Sequence, residues 1–167
     1  LEFRRVLFRS ALGGTRFWNY ENERAAVLDS LRLARGMTYK AAITGLNLGG
    51  GKSVIWGDNK TADREMIFRA HGRAVGSLGG RYITAEDVGT SPDDMEFVSM
   101  ETEHVVGLLG RSGDPSPVTA FGVYRGIKAA AAIRYGDDSL ANRHVVVQGV
   151  GHVGHYVCEH LAREGAR

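Results

Sequence analysis

The sequence has a single cysteine, Cys158, and no apolar run near the ~20 residues that a membrane span requires. One cysteine excludes an internal disulfide and is typical of a protein from a reducing compartment, so we expect a cytoplasmic location. Without a long apolar run, no membrane association is predicted. The 21 basic and 19 acidic residues leave a net charge of +2, which gives no indication of a nucleic-acid partner.

A phosphate-binding P-loop is also missing. Gly51-Lys52-Ser53 has the ending of the motif G-x-x-x-x-G-K-[ST], but the motif's first glycine would fall at Leu46. The residues that follow Ser53 are typical of a strand, whereas a P-loop opens a helix. This nucleotide-binding motif is therefore excluded.

No metal site is predicted either. The best candidate ligands are three histidines close in sequence, His152, His155 and His160. No cluster of acids or cysteines accompanies them to complete the coordination shell of a zinc ion. A solvated helix start is the alternative that we favour for these histidines.

Glycine, in contrast, is abundant, with 23 residues, or roughly twice its usual ~7% share. Three glycines stand in a row before Lys52, and Ser53 to Trp56 has the β-branched and aromatic composition of a strand. Glycine has no side chain, so backbone and ligand can approach each other closely there. A lysine at the mouth of such a strand is suited to hold an amine against a small substrate; the alternative is a glycine loop with a solvated lysine.

Hydrophobic periodicity predicts two helices in the first half of the chain. The first covers Glu21 to Arg35 and is expected to stop at Gly36, after which Met37 to Ile43 leads into the central glycine loop. The second covers about Ala62 to Leu78. His71 lies on its apolar stripe, which favours a core histidine over a ligand.

A strand is predicted from Arg81 to Ala85, and it places Glu86 and Asp87 at its carboxyl end. That position is where α/β sheets usually carry their functional groups. Ser91 and Pro92 follow, and this pair is typical of the capped start of a further helix.

The last third of the chain has the pattern of a dinucleotide site. A long helix is predicted from Ser116 to about Tyr135, and a buried strand from His144 to Gln148. The glycine sequence G-V-G-H-V-G at Gly149 to Gly154 comes next, followed by a helix that ends near Arg163. Strand, glycines and helix in this order allow a pyrophosphate to sit on the helix N-terminus; an incidental glycine turn is the alternative.

Six motifs occur together in the order of one known family, and the chain resembles the glutamate/leucine/phenylalanine/valine dehydrogenase family, its leucine branch in particular. The motifs are A-L-G-G-T-R (11–16), R-G-M-T-Y-K (35–40), L-G-G-G-K (48–52), G-R-Y-I-T-A-E-D-V-G-T (80–90), S-P-V-T-A (116–120) and Q-G-V-G (148–151). The resemblance covers nearly all of residues 11–167.

The resemblance implies a reversible, NAD-dependent oxidative deamination of an L-amino acid to its 2-oxo acid and ammonia. It implies that Lys52 activates water and polarises the carbon that becomes an imine, that Asp87 relays protons to and from the amine, and that Lys40 holds the substrate carboxylate. The implied substrate pocket consists of Leu12, Gly13, Gly14 and Met37. The implied NAD site consists of Thr119, Gly149, Val150, Gly151, His152, Val153 and Gly154.

The chemistry requires the same residue types. A base that works near neutral pH can be a lysine only if its pKa is lowered, and we expect burial together with repulsion between Lys40 and Lys52 to lower it. Leu12 stands where glutamate-specific members carry a lysine that pairs with the substrate side chain. An aliphatic, branched-chain substrate is therefore predicted.

The expected architecture is α/β. Residues 11–120 are predicted to form a substrate domain with a mixed sheet and flanking helices, and residues 121–167 a bridging helix and the first βα unit of a truncated Rossmann domain. Residues 1–10 are interpreted as a non-native leader, and the sequence as a fragment of an enzyme that forms homo-oligomers. Valine or phenylalanine dehydrogenases, and a non-catalytic dinucleotide-binding or oligomerisation remnant, remain alternatives.

Overall fold

The computed structural model describes residues 10–111 and 114–167. Their contacts form two compact units, with the division between Gly113 and Asp114. The leader predicted for residues 1–10 lies outside the described residues except for Ser10. The predicted domain boundary at residue 120 would have cut a helix that the structure keeps whole in the second unit.

The first unit is built on short parallel strands that share one register. They are β1 (Ala11–Leu12), β2 (Thr15–Trp18), β3 (Gly49–Gly50), β4 (Ser53–Trp56) and β5 (Tyr82–Ile83). β1 pairs with both β3 and β5, and β2 pairs with β4. Leu12 pairs with Gly50 and Thr15 pairs with Ser53. The strand register is therefore the same before and after Gly13-Gly14, the two residues that separate β1 from β2.

The α/β class predicted from the sequence is confirmed, but the expected mixed sheet is not found in residues 10–111, where every described pairing is parallel. The connections are compatible with this arrangement. One helix lies between β2 and β3 and another between β4 and β5, and parallel strands need crossovers of this length, usually through a helix.

Three helices flank these strands: α1 (Glu23–Ile43), α2 (Arg64–Ser77) and α3 (Pro92–Ser99). The predicted start of α3 is confirmed, since Ser91 and Asp94 form a reciprocal capping box. The predicted end of α1 at Arg35 is wrong, because the helix passes through Gly36 and continues to Ile43.

The end of α1 has a local cause. A glycine ends a helix when it takes the left-handed conformation, and Gly45 does so with φ +73°. The Gly45 N–H donates to the Ala42 carbonyl, and the Leu46 N–H donates to the Ala41 carbonyl. The consequence for the site is that Met37 and Lys40 lie on a helix rather than in a loop.

The second unit contains α4 (Ser116–Tyr135) and α5 (His152–Arg163), which pack on each other. Its core consists of Ala120, Ala131, Leu140, Val157 and Leu161. Both helices were predicted with nearly these bounds.

The strand predicted at His144 to Gln148 is not assigned as one, and the expectation that it is buried is wrong, because Val146 is 95% exposed. Only alternate residues, Val145 and Val147, pack on the core. The N–H of Val145 bonds the carbonyl of Arg167, and the N–H of Arg167 bonds that of Arg143, both at 2.8 Å. These two bonds have the pattern of a parallel bridge, the pairing expected between successive strands of a βαβ unit.

Candidate active site

Lys52 and Asp87 form a close ion pair in the first unit. Lys52 lies between β3 and β4, Asp87 follows β5, and the Lys52 Nζ is 2.7 Å from the Asp87 Oδ1. The lysine side chain is only 5% exposed. The sequence predicted both residues as catalytic, and the structure brings their charged groups together.

Burial shapes the electrostatics of this pair. It lowers the pKa of Lys52, and the hydrogen bond and charge of Asp87 offset that only in part. Burial also acts to raise the pKa of Asp87, but hydrogen bonds from Lys52 and Arg16 outweigh it and hold that pKa below its usual value. The site therefore favours an ionised carboxylate beside an amine that loses its proton more easily than a free lysine.

The predicted repulsion from Lys40 is not the source of this effect. Lys40 lies in the last turn of α1 with an exposed side chain, whereas the cation that lowers the pKa of Lys52 is Arg16. Arg16 was missed by the sequence reasoning, although it belongs to the A-L-G-G-T-R motif. Its Nε donates to the Asp87 Oδ2 at 2.9 Å.

The shared register explains why these groups meet. Thr15 pairs with Glu86, so the next residues along the two segments, Arg16 and Asp87, are level with each other. Thr15 also pairs with Ser53, so the preceding residues, Gly14 and Lys52, are level with each other. Lys52, Gly14, Arg16 and Asp87 are therefore on one face of the strands.

Gly13 and Gly14 are required by close approach between strands. A Cβ on Gly14 would lie 2.2 Å from the Glu86 carbonyl oxygen, and one on Gly13 would lie 1.8 Å from the Gly51 carbonyl oxygen. The Gly13 position also faces the Met37 Cγ at 3.1 Å. The structure thus brings together two residues of the predicted substrate pocket, Gly13 and Met37. Leu12, the residue before Gly13, is half-buried on β1.

A buried network of hydroxyl groups lies on the other set of alternating positions. The Thr15 Oγ1 is 2.7 Å from the Ser53 Oγ, 2.6 Å from the Thr84 Oγ1 and 2.8 Å from the His71 Nε2. Tyr82 extends the network, with its hydroxyl 2.9 Å from the Ser53 Oγ. Burial lowers the pKa of His71 to about 4, so the imidazole is neutral, as a core histidine should be.

The glycine turn that the sequence predicts as a dinucleotide site lies in the second unit. Gly149 has φ +87°, and a Cβ on Gly154 would lie 2.1 Å from the Gly149 carbonyl oxygen, so this tight turn needs glycine at both positions. α5 begins at His152, and its N-cap, Gly151, has no side chain to bond the first N–H groups. Bare backbone donors at a helix N-terminus suit the pyrophosphate of NAD.

Thr119 lies in the first turn of α4, in the same unit as the glycine turn, and its N–H bonds the Pro115 carbonyl. Hydrogen bonds from Ser116 hold the pKa of Asp114, at the start of that helix, below its usual value. The residues present in this unit thus fit the cofactor that the sequence implied. The described residues contain no group of histidines, cysteines and acids close enough to hold a metal ion, and none of their helices is long and apolar enough to cross a membrane.

Comparisons with known proteins identify the family of the chain. The family described as "Glu/Leu/Phe/Val dehydrogenase, dimerisation domain" matches residues 5–104. Leucine dehydrogenase of Bacillus subtilis is 60% identical over 159 residues, which are 93% of this chain and 44% of that enzyme. Valine dehydrogenase of Streptomyces albus is 53% identical over 159 residues, with the same coverage.

Among solved structures, the hetero-hexameric glutamate dehydrogenase of Thermus thermophilus in its Leu-bound form superposes with a TM-score of 0.77. It is 26% identical, and the match covers 96% of this chain and 41% of that one. The chain therefore spans less than half the length of the relatives that it matches.

Proposed function

Because the chain belongs to the Glu/Leu/Phe/Val dehydrogenase family, we propose that the protein catalyses the NAD-dependent, reversible oxidative deamination of a branched-chain aliphatic L-amino acid. The products are the 2-oxo acid and ammonia. The observation that carries the proposal is the buried Lys52–Asp87 pair, with its amine and carboxylate 2.7 Å apart.

The pair supplies groups for the proton transfers that this reaction needs. Asp87, held ionised, accepts a proton from the substrate ammonium group, so that positive charge can develop on nitrogen as hydride leaves Cα. Lys52, whose pKa is lowered by burial, takes a proton from the water that adds to the resulting imine carbon. Asp87 then returns its proton to the nitrogen, the C–N bond breaks as the hydroxyl becomes the carbonyl of the 2-oxo acid, and ammonia leaves with the hydroxyl proton. NAD, when bound, accepts the hydride.

The second unit is proposed to hold that cofactor. Gly149 to Gly154 offer bare backbone to the pyrophosphate, and Thr119 is carried by the neighbouring helix. In domain terms, the first unit is the substrate domain, and the second is the start of a Rossmann NAD-binding domain. The helix α4 is the proposed bridge.

The substrate contacts are proposed from the same family pattern. Lys40 binds the carboxylate, and Leu12, Gly13, Gly14 and Met37 line an apolar pocket. Leucine is the preferred candidate, since the B. subtilis relative is a leucine dehydrogenase. Valine is the second candidate, because a valine dehydrogenase is 53% identical over the same length.

We further propose a homo-oligomer and a cytoplasmic location. The matching family is described as a dimerisation domain, and the T. thermophilus neighbour is hexameric. Size-exclusion chromatography with light scattering tests the assembly directly, and a monomer at micromolar concentration would contradict it.

The catalytic proposal is tested by steady-state assays of NAD reduction in the protein that carries this chain, with leucine, valine, phenylalanine and glutamate as substrates. Lys52→Ala should lower kcat at least about 100-fold, the low end for loss of general acid–base catalysis. Lys60→Ala, in an exposed loop, is the matched control and should keep normal activity.

A near-normal kcat in Lys52→Ala would refute the role of Lys52. Absence of NAD reduction by the unmodified protein with every substrate would instead favour a non-catalytic dinucleotide-binding or oligomerisation protein.

A further inference from the structure

The Asp87 carboxylate accepts hydrogen bonds from two cationic side chains, one on each oxygen. The Lys52 Nζ is 2.7 Å from Oδ1, and the Arg16 Nε is 2.9 Å from Oδ2. The side chains of Arg16 and Asp87 are 24% and 23% exposed, so this arrangement is largely shielded from solvent. The family pattern assigned roles to Lys52 and Asp87 and none to Arg16.

Arg16 is itself anchored on its far side. Its Nη1 is 3.0 Å from the Asp29 Oδ2 on α1, and the Tyr20 hydroxyl donates to the same oxygen at 2.6 Å. A guanidinium group can hold two carboxylates at once because its donors point in fixed, separate directions. Arg16 thus ties α1 to the residue that follows β5.

We propose that Arg16 is a positioning residue of the Lys52–Asp87 pair: it fixes the orientation of the Asp87 carboxylate and, as a permanent cation beside it, favours the neutral amine form of Lys52. The inference rests on the proposed function, since a neutral Lys52 is the form that removes a proton from water.

The charges around Lys52 support this role. The groups that face it are Arg16 from β2, Asp29 from α1 and Asp87 after β5. With Lys52 protonated, these four groups are neutral overall. Without Arg16, Lys52 would be the one cation facing the carboxylates of Asp29 and Asp87 among these groups. Loss of its proton would then leave both negative charges uncompensated.

The nearby titratable groups do not replace Arg16. The pKa of Tyr20 is raised to about 12, first by burial and then by its hydrogen bond to Asp29, so the phenol stays neutral. His71, which contacts Ser53 from α2, has its pKa lowered to about 4 and is neutral as well. Lys40 on α1 is exposed. Arg16 is therefore the fixed cation of this cluster, and Lys52 is the group that changes charge.

The test measures the titration of Lys52 by NMR in the 167-residue chain with isotope-labelled lysine, which requires no enzymatic activity. Arg16→Gln should move the Lys52 midpoint to higher pH, and Asp29→Asn, which removes a carboxylate, should move it to lower pH. Arg16→Lys keeps the cation and should restore most of the original midpoint. Arg24→Gln, an exposed change on the same helix as Asp29, is the matched control and should leave the midpoint unchanged.

The second readout is the pH profile of kcat/KM in the protein that carries this chain. The acid limb should follow the NMR midpoints, upward in Arg16→Gln and downward in Asp29→Asn. At a pH on that limb, each unit of upward shift lowers kcat/KM about tenfold, because tenfold less of the enzyme has neutral Lys52.

Shifts of opposite sign in the two variants support the inference, since a merely structural role would lower activity in both without them. An unchanged or lowered midpoint in Arg16→Gln would overturn it. If the NMR shifts appear but no variant and no unmodified protein reduces NAD, the charge relationship holds and the proposed function fails.

Discussion

Tyr82 donates its hydroxyl hydrogen to the carbonyl oxygen of Gly13, 2.6 Å away. The bond joins the hydroxyl network to the first of the two glycines that separate β1 from β2. The donor is buried, and the acceptor lies one residue from Gly14, which is level with Lys52. This contact therefore supports the strand beside the Lys52–Asp87 ion pair.

Tyr82→Phe tests the contribution of that bond to stability. The change leaves the buried Gly13 carbonyl without this donor, and an unsatisfied buried group costs about 1–3 kcal/mol. We expect the free energy of unfolding, measured by urea denaturation, to fall by that amount. Tyr39→Phe, at a side chain that is 66% exposed, should change it little. Equal stability of the two variants would contradict the role assigned to Tyr82.

Gly14→Ala and Gly36→Ala should have opposite effects. The first puts a Cβ 2.2 Å from the Glu86 carbonyl oxygen, so the strands must separate, and overpacking of this kind costs about 1–3 kcal/mol or more. The second adds a Cβ in open space within α1, where alanine is about 0.5–1 kcal/mol better than glycine. Thermal unfolding followed by circular dichroism should therefore give a lower Tm for Gly14→Ala and a higher one for Gly36→Ala. A fall in both would show that α1 does not tolerate a side chain at Gly36.

His71 should make the protein less stable in mild acid. Its folded pKa, about 4, is below the ordinary value of 6.5, so the unfolded chain binds more protons between these values. Stability is therefore fully present above about pH 6.5 and is lost as pH falls towards 4, by up to about 3 kcal/mol for this group.

Urea denaturation at several pH values measures this loss. His71→Gln should flatten the decline between pH 6.5 and 4 relative to the unmodified chain, while His155→Gln, at an exposed side chain, should leave it unchanged. The same slope in His71→Gln would show that carboxylates, rather than His71, cause the acid sensitivity.

The features that the sequence predicted correctly depend on local patterns. The cap at Ser91, the strand after Lys52 and the glycine turn before α5 each follow from neighbouring residue types. The end of α1 was not predictable in this way. Glycine is a typical helix stop signal, but Gly36 has a helical conformation and the helix continues through it. Whether a glycine ends a helix depends on its φ angle, which composition does not specify.

Arg16 and the hydroxyl network were missed because they depend on register. Thr15 and Thr84 are 69 residues apart in the chain, and only strand pairing brings their hydroxyl groups together. Arg16 meets Asp87 for the same reason. Once β1 and β5 are known to be parallel neighbours, alternation along the strands places each of these residues on its face.

Leu12 is the residue on which the proposed substrate class depends. It lies on β1 between Gly50 and Ile83, half-buried, one residue before the position that faces Met37. A leucine there offers apolar surface and no positive charge. A glutamate side chain buried against it would keep an unpaired carboxylate, which is heavily penalised, whereas an aliphatic chain gains about 0.8 kcal/mol for each buried CH₂.

The protein that carries this chain should therefore prefer leucine, valine or isoleucine over glutamate by several orders of magnitude in kcat/KM. Leu12→Lys supplies a counter-charge inside the proposed pocket, so it should reduce that preference and admit acidic substrates. Leu46→Lys adds the same charge at a side chain that is 51% exposed, and it should leave the preference intact. Assays of the three proteins against a panel of amino acids separate a local pairing from a general effect of charge. If the unmodified protein used glutamate as well as leucine, the apolar pocket would be refuted while membership of the family would stand.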